Sequence, residues 1–410
     1  MPAMHFYDFG FDDDLLDGID SMGYEYATPV QAEVIPAILA GRDVIAAAQT
    51  GTGKTAAFLL PVIQKLLSEP HDHHKVNCVI VVPTRELATQ ISQTLEGLAY
   101  YTDISSIAVY GGGDGNLFAQ EKKALTKGAD IVICTPGRML AHLKMNYLKL
   151  DQVRYLVLDE ADRMLDMGFY EDIMQIIGGM PKQRQNLLFS ATMPQGIRKL
   201  ANTLLHNPAE VNIAISKPAE KIKQGAYIVF EQQKIPVVKH ILSQKPYSSV
   251  LIFCSSKLSV KQLTAELKRA KLPAEQIHSD LEQAEREQVL LDFKSKKLKI
   301  LVATDILSRG IDIEDIELVI NYDVPHDGED YIHRIGRTAR AASTGEAITL
   351  IVDQDQWKFH KIEKLMEKVV DKLPVPEQFG PAPAVRESGE RKSGSGKGGG
   401  KKRYNKFKRK

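Results

Sequence analysis

Long apolar runs and cysteine are scarce in this chain of 410 residues. No stretch reaches the roughly 18 uninterrupted apolar residues of a membrane span, and the acidic start MPAMHFYDFGFDDD lacks the basic and apolar segments of a signal peptide. Cys78, Cys134 and Cys254 each lie within or at the end of an apolar run, with neither disulfide-framework nor zinc-site spacing. We therefore expect a cytoplasmic protein without a membrane segment, whose cysteines are reduced and lie in the core.

Net charge is also nearly absent, but the charge is unevenly distributed. Residues 391–410 hold ten Lys and Arg and no Asp or Glu, and subtracting these from the total of +1 leaves −9 for residues 1–390. This Gly/Ser/Lys-rich segment cannot bury enough apolar surface to order itself, so we expect a disordered basic tail. It is either a solubilising tail or a phosphate-binding arm whose Tyr404 and Phe407 stack on bases.

The remainder is long enough for two domains, with 43% hydrophobic and 26% charged residues. Short β-branched runs such as DVIAAAQ, NCVIVVP and YLVLDE alternate with amphipathic stretches, and the series restarts with AYIVFE and SSVLIFCSS. Strands that are apolar on both faces and separated by helices indicate parallel sheets covered on both sides. We predict an α/β fold with domains at 1–213 and 225–370, a linker at 214–224 and a flexible basic tail at 371–410.

A glycine-rich turn, AAAQTGTGKT, follows the first predicted strand and precedes a predicted helix. This setting is typical of a phosphate-binding loop, although Ala48 stands where the common pattern has its first glycine. Backbone N–H groups approach the phosphates, the lysine reaches the β/γ oxygens, and the last hydroxyl can bind Mg²⁺. The predicted nucleotide-binding residues here are Thr50, Gly51, Thr52, Gly53, Lys54 and Thr55.

Three carboxylates end the apolar run YLVLDEAD, where a phosphate-loop ATPase holds its magnesium. Asp159 is predicted to bind Mg²⁺, partly through water. Glu160 is placed to orient or deprotonate the attacking water. A solvated strand end would be the alternative interpretation, but the upstream phosphate loop favours catalysis.

These stretches occur together with PTRELA, TPGR, SAT, ATDILSRGID and HRIGRTAR, in the order found in DEAD-box RNA helicases, which the chain resembles over about residues 6 to 352. The resemblance implies two RecA-like domains that close on ATP and single-stranded RNA. The compact core followed by a basic tail resembles the bacterial RhlE-type branch, whose members are tied to ribosome assembly and RNA turnover.

The family's adenine motif matches GYEYATPVQ. By this resemblance Tyr24 would stack on adenine, the Gln31 amide would pair with its edge, and Phe6 matches the isolated upstream aromatic residue. Tyr26 stands where the family often has a basic residue.

In HRIGRTAR the resemblance assigns Arg337 and Arg340 to the γ-phosphate as arginine fingers, with His333 beside them. Asp312 resembles the residue that meets the ribose hydroxyls. Ala339 replaces a more usual glycine, which removes no charge.

The family's RNA contacts are mostly small or polar residues, which suit a reader of sugar and phosphate rather than of base sequence. They fall on Pro83, Thr84, Arg85, Gly111, Gly112, Thr135, Pro136, Gly137, Arg138, Gln283, Arg286 and Thr304. Ser190 and Thr192 resemble the family's coupling element, expected to hydrogen-bond near Asp162 and His333.

Two further features are interpreted as structural. HDHH, with His71, His73 and His74, lacks fixed metal-ligand spacing and is predicted to be a solvated loop. Trp357, the single tryptophan, lies in a helical pattern and is expected to pack.

The sequence thus predicts a monomeric ATP- and Mg²⁺-dependent RNA helicase that separates short duplexes, with ribosomal or RNA-decay proteins as partners. Two alternatives remain: a nucleotide-gated RNA clamp with little unwinding, and an RNA chaperone driven by the basic tail. A DNA helicase is disfavoured by the family resemblance.

Overall fold

Two parallel β-sheets follow one another along the chain in this computed structural model, each with seven strands. The structure describes residues 4–48, 52–112, 115–212, 222–304, 316–325, 328–338 and 345–386. Helices pack on both faces of each sheet, which confirms the predicted α/β fold of two tandem RecA-like domains.

The first domain carries the sheet nearer the N-terminus. Its elements are α1 (Asp13–Ser21), α2 (Pro29–Leu39), β1 (Val44–Ala47), α3 (Lys54–Ser68), β2 (Cys78–Val81), α4 (Arg85–Leu98), β3 (Ser106–Val109), α5 (Gly115–Lys127), β4 (Ile131–Cys134), α6 (Pro136–Leu143), β5 (Tyr155–Leu158), α7 (Ala161–Asp166), α8 (Tyr170–Gly178), β6 (Gln185–Ser190), α9 (Gln195–Leu204) and β7 (Ala209–Asn212). The strand order β3-β4-β2-β5-β6-β1-β7 puts β5, β6 and β1 side by side. All the strand carboxyl ends therefore meet at one edge, where ligands of such sheets bind.

The second domain repeats this plan. Its elements are β8 (Ile222–Val229), α10 (Lys234–Gln244), β9 (Val250–Cys254), α11 (Lys257–Arg269), β10 (Ala274–Ile277), α12 (Gln283–Lys294), β11 (Ile300–Thr304), β12 (Leu318–Asn321), α13 (Gly328–Ile335), β13 (Gly345–Val352), α14 (Gln356–Met366) and β14 (Asp371–Leu373). Its strand order is β10-β11-β9-β12-β13-β8-β14.

Three strands, β7, β10 and β14, lack the continuous apolar sequence of the central strands. Their sequences AEVN, AEQI and DKL are partly exposed and polar, and all three lie at the edge of a sheet. An edge strand is covered on fewer sides than a central one, so it needs no continuous apolar run.

The structure corrects two predicted boundaries. The linker placed at 214–224 is too long, because β8 already begins at Ile222 and pairs with β13 along its whole length. The tail placed at 371–410 begins too early, because β14 pairs with β8 and the Gln233 amide donates to the carbonyls of Phe379 and Pro381, at 2.8 and 3.0 Å. Residues 214–221 and 387–410, including the basic segment, lie outside the described residues.

Two side-chain interpretations also need correction. Trp357 is 47% exposed, with the Lys361 ammonium 4.6 Å from the ring centroid, so it carries a cation–π contact rather than filling the core. The histidine loop is not simply solvated, because the His71 side chain is only 5% exposed and faces Asp130.

The cysteines are buried thiols, as predicted, and burial raises the pKa of Cys78 and Cys134 well above the usual range. Within the described ranges, no helix combines the length and the apolar character needed to cross a membrane.

Candidate nucleotide and RNA site

The phosphate loop leads into α3 through Gly53, whose φ of 88° lies in the left-handed region. A Cβ at this position would meet the Gln31 Nε2 atom at 2.6 Å. The backbone conformation therefore favours glycine, and a Cβ would have to displace the Gln31 amide. Thr50 and Gly51 lie outside the described residues.

Lys54 opens α3 and is nearly buried, at 6% exposure. Its Nζ atom has no hydrogen-bond partner among the described residues. A buried ammonium without a partner is costly unless an anion satisfies it. This orphaned donor fits a bound phosphate.

Asp159 directly follows β5 and is 3% exposed, and Glu160 comes next at 8%. Burial raises the pKa of Asp159 to about 6, against a lowering by the Lys54 ammonium. The carboxylate thus carries more negative charge than its surroundings neutralise. This surplus fits a divalent cation at the position predicted for Mg²⁺.

The backbone turns sharply at Glu160, where φ is 49° and ψ is 48°. A left-handed conformation at a residue with a side chain costs about 1 kcal/mol or more and often marks functional sites. The Arg163 guanidinium lies 3.2 Å from Glu160 Oε2 in a buried ion pair, so it holds this carboxylate. Arg163 is a further site residue that was not predicted, although its i+3 spacing from Glu160 could have indicated the ion pair.

The expected contact between the SAT stretch and the acidic run is present. Thr192 N donates to Asp162 Oδ2 at 3.0 Å, and Ser190 Oγ donates to the Thr192 carbonyl at 2.7 Å. The end of β6 is thereby tied to the start of α7, and a role in coupling remains a prediction.

The residues predicted to bind adenine lie beside the phosphate loop. Gln31 Oε1 accepts from Thr28 N at 2.8 Å, which caps α2, and Gln31 Nε2 donates to the Gly53 carbonyl at 3.0 Å. The rings of Phe6 and Tyr24 are stacked with centroids 6.1 Å apart. Phe6 is buried beneath Tyr24, so it is placed to support that ring.

The RNA residues predicted in the first domain follow the carboxyl ends of β2, β3 and β4, which are neighbours in the sheet. They are Pro83, Thr84, Arg85, Gly111, Gly112, Thr135, Pro136, Gly137 and Arg138. Thr84 Oγ accepts from Leu87 N at 3.3 Å and so also caps α4.

A buried carboxylate that the sequence analysis missed holds Arg138. Glu121 on α5 is 2% exposed and accepts from Arg138 Nε at 2.7 Å, His142 Nε2 at 2.9 Å and Tyr110 N at 3.3 Å. The Phe118 ring lies 4.5 Å from the Arg138 guanidinium carbon. Nothing in the local sequence separates Glu121 from an ordinary helix-surface glutamate.

In the second domain, the RNA residues fall at comparable positions. Gln283 opens α12, and Thr304 ends β11. Arg286 donates to the carbonyls of Leu281, at 3.0 Å, and Ser279, at 2.8 Å, so its guanidinium also braces the preceding turn.

The arginine motif is described only in part. His333 lies on α13, and Arg337 follows it, 8% exposed. Arg334 donates to Asn321 Oδ1 at 3.1 Å and to the Asp323 carbonyl at 2.9 Å, which makes it a structural residue within its own domain. Arg340, Ala339 and Asp312 lie outside the described residues.

An ion pair between described residues joins the two domains. Arg85 of α4 lies 2.9 Å from the Glu287 carboxylate of α12, while its guanidinium stacks over Tyr110, 4.7 Å from the ring centroid. The predicted RNA residues of both domains therefore lie at elements that face each other.

Comparisons with known proteins match both domains. Residues 28–200 match the DEAD/DEAH box helicase family, and residues 233–342 match the helicase conserved C-terminal domain. The ATP-dependent RNA helicase CshA of Listeria monocytogenes is 42% identical over 372 residues, which cover 90% of this chain and 70% of that protein.

Two solved structures are similar over nearly the whole chain. Dbp5 of S. cerevisiae bound to RNA and ADP BeF3 has a TM-score of 0.81 and 29% identity, and the match covers 91% of this chain and 96% of that one. A DEAD box protein from the hyperthermophile Methanococcus jannaschii is 38% identical, with a TM-score of 0.53, 90% of this chain and 99% of that one being covered.

Proposed function

The chain belongs to the DEAD-box family of ATP-dependent RNA helicases, and from that premise we propose that it couples ATP hydrolysis to local separation or remodelling of short RNA duplexes. One observation carries the proposal. The unsatisfied Lys54 ammonium and the buried Asp159 and Glu160 carboxylates lie at the edge of the same sheet that presents the predicted RNA residues.

ATP would bind against the phosphate loop and the residues predicted to contact adenine. Lys54 supplies the cation for the β/γ phosphates, and the Gly53 backbone leaves room for their approach. Thr55 and Asp159 would hold Mg²⁺, partly through water, and the ion would neutralise charge on the phosphate oxygens.

Glu160 would accept the proton of the attacking water or orient that water, with Arg163 fixing its carboxylate. Arg337 and Arg340 would complete the site from the second domain when the domains close. Such arginines are worth about 10³ to 10⁵ in rate in other phosphoryl-transfer enzymes, so the open enzyme should be slow.

RNA would lie along the strand ends, where hydroxyls, glycines and Arg138 contact sugar and phosphate rather than base edges. The ion pair between Arg85 and Glu287 supports closure of the two domains over this surface. The chain is more similar in structure to the yeast helicase bound to RNA and ADP BeF3, with a TM-score of 0.81, than to the Methanococcus jannaschii protein, with a TM-score of 0.53. This difference supports an arrangement in which the two domains close over RNA.

The proposed oligomeric state, compartment and biological role rest on the sequence resemblance and on the basic segment at 391–410. We propose a monomeric cytoplasmic enzyme, close to the bacterial RhlE-type branch, that acts in ribosome assembly or RNA turnover. The basic segment would tether the core to structured RNA and raise its local concentration.

The test is steady-state ATP hydrolysis with and without single-stranded RNA, with matched DNA for comparison and duplex displacement measured in parallel. Glu160→Gln should lower kcat by roughly 10²- to 10⁴-fold, as removal of a general base does. Glu171→Gln, at an exposed position on α8, serves as the matched control and should keep wild-type rates.

We expect RNA, but not DNA, to stimulate ATP hydrolysis, and we expect the enzyme to displace strands from RNA duplexes. ATP turnover indifferent to RNA would refute the coupled mechanism. Stimulation without displacement would favour an RNA clamp instead.

A further inference from the structure

A cluster of metal-ligand side chains lies at the amino-terminal edge of the first sheet, opposite the nucleotide edge. Asp130 directly precedes β4, and His71 and His73 lie in the loop that leads into β2. The loop is fastened to Asp130 by its backbone, because Asn77 N and Cys78 N both donate to the Asp130 carbonyl, at 3.0 and 2.8 Å. Two segments more than fifty residues apart in sequence thus converge here.

The ligand atoms have the spacing of a tetrahedral zinc site. His71 Nε2 lies 3.0 Å and His73 Nδ1 lies 3.4 Å from Asp130 Oδ1, and one nitrogen or oxygen atom from each residue lies within 4.8 Å of the others. Bonds of about 2.0–2.1 Å to a tetrahedral ion place neighbouring ligand atoms roughly 3.4 Å apart. An ion fits among these atoms with only small side-chain adjustments.

The protonation of His71 favours an ion over a simple hydrogen bond. Its Nδ1 lies 3.1 Å from the Glu69 carbonyl, which can only accept, so the proton sits on Nδ1. Nε2 is then unprotonated and lies 3.0 Å from Asp130 Oδ1, and it makes no hydrogen bond among the described residues. An unprotonated nitrogen and a carboxylate oxygen at this distance repel each other unless a cation binds both.

The outer partners of the cluster are those that zinc ligands commonly have. The backbone carbonyl of Glu69 fixes the His71 tautomer, and the Asp103 carboxylate lies 3.9 Å from the outer ring nitrogen of His73. Asp130 Oδ2 accepts from Ser105 N at 2.9 Å and from Ser105 Oγ at 2.7 Å. The carboxylate is therefore held in place, and its Oδ1 atom, which also accepts from Asn77 Nδ2 at 3.3 Å, faces the two imidazoles. His73 Nδ1 lies between the two oxygens, 3.5 Å from Oδ2.

We propose that His71, His73 and Asp130 bind a Zn²⁺ ion that fastens the loop before β2 to the start of β4. Two imidazoles and one carboxylate suit zinc, whereas magnesium and calcium take mainly oxygen ligands. A water would complete the tetrahedron on the exposed side of His73. The ion stabilises the first domain and takes no part in ATP hydrolysis.

The test uses the full-length chain without a histidine tag, stripped of metal by a chelator. Zn²⁺ is titrated against a chromophoric chelator, and Co²⁺ is added separately to record the visible absorption of a four-coordinate site. One equivalent of Zn²⁺ should bind, and a hundredfold excess of ion over its Kd should raise the melting temperature of the first domain by roughly 5–10 °C.

His73→Ala tests the ligand set without disturbing the core, because the His73 side chain is 48% exposed. It should weaken Zn²⁺ binding by at least tenfold and remove the Co²⁺ spectrum. His74→Ala is the control, because His74 is an exposed histidine in the same loop that lies outside the cluster, and it should bind like the wild type.

Failure of the wild type to bind one equivalent, or equal binding by the two variants, would overturn the proposal.

Discussion

The buried Glu121 carboxylate gives the sharpest test of the first domain's energetics. Glu121→Ala removes the carboxylate that accepts from Arg138 Nε and leaves His142 Nε2 and Tyr110 N without this acceptor. Removing one member of a buried ion pair costs about 3–5 kcal/mol, because the other charge stays buried. The Arg138 side chain is 13% exposed and can recruit some water, so we expect the lower end, about 3 kcal/mol.

The expected loss converts to a melting shift of roughly 6–12 °C, at about 2–4 °C per kcal/mol for a domain of this size. Urea unfolding followed by circular dichroism measures the change. Trp357, the single tryptophan, lies in the second domain, so its fluorescence separately reports a transition that the substitution should leave in place. Gln120→Ala, at the neighbouring exposed position of α5, is the matched control.

If Glu121→Ala lowers the free energy of unfolding by less than about 1 kcal/mol, or by as much as Gln120→Ala does, the hydrogen bonds of Glu121 contribute little to stability. If Arg138 contacts RNA as proposed, Glu121→Gln, which keeps the volume, should weaken RNA binding more than it lowers stability.

Three further outcomes follow from the structure. Gly53→Ala should weaken ATP binding in a fluorescent-nucleotide titration, because its φ is 88° and its Cβ would displace the Gln31 amide, 2.6 Å away; unchanged affinity would contradict this. Gly18→Ala should cost more than about 2 kcal/mol in urea unfolding, because its Cβ would lie 2.1 Å from a backbone carbonyl of α4, and a neutral effect would show that α1 can shift. Burial alone would raise the pKa of Asp323, but the Lys234 ammonium and nearby serine donors lower the pKa on balance. The ionised Asp323 therefore stabilises the fold above the usual aspartate pKa, and this stabilisation is lost as the pH falls through the lowered pKa. Asp323→Asn should therefore cost about 1–3 kcal/mol at pH 7 and progressively less in acid, and a loss independent of pH would refute the ion pair.

The central strands and the phosphate loop were predictable because their signals are local. A buried parallel strand must be apolar on both faces, and the glycine, lysine and threonine that open α3 are adjacent in sequence. The same applies to Asp159 and Glu160, which directly follow β5.

The errors concern contacts between distant segments. The start of the tail was misplaced because Asp371–Leu373 becomes a strand only by pairing with β8. His71 was interpreted as a solvated residue because its partner, Asp130, is far away in sequence. Glu121 was missed for a similar reason, since its role depends on α6 and on the end of β3.

The Gln31 side-chain amide can make four hydrogen bonds, and two of them are already made within the protein. A side-chain amide has two N–H donors and two acceptor lone pairs; Thr28 N takes one lone pair and the Gly53 carbonyl takes one donor. One donor and one acceptor remain, which match the ring nitrogen and amino group on the edge of adenine. Guanine shows two acceptors on its corresponding edge and would leave the Gln31 carbonyl facing another acceptor. If Gln31 binds adenine as proposed, the same side-chain amide would both select the base and hold the Gly53 carbonyl of the phosphate loop.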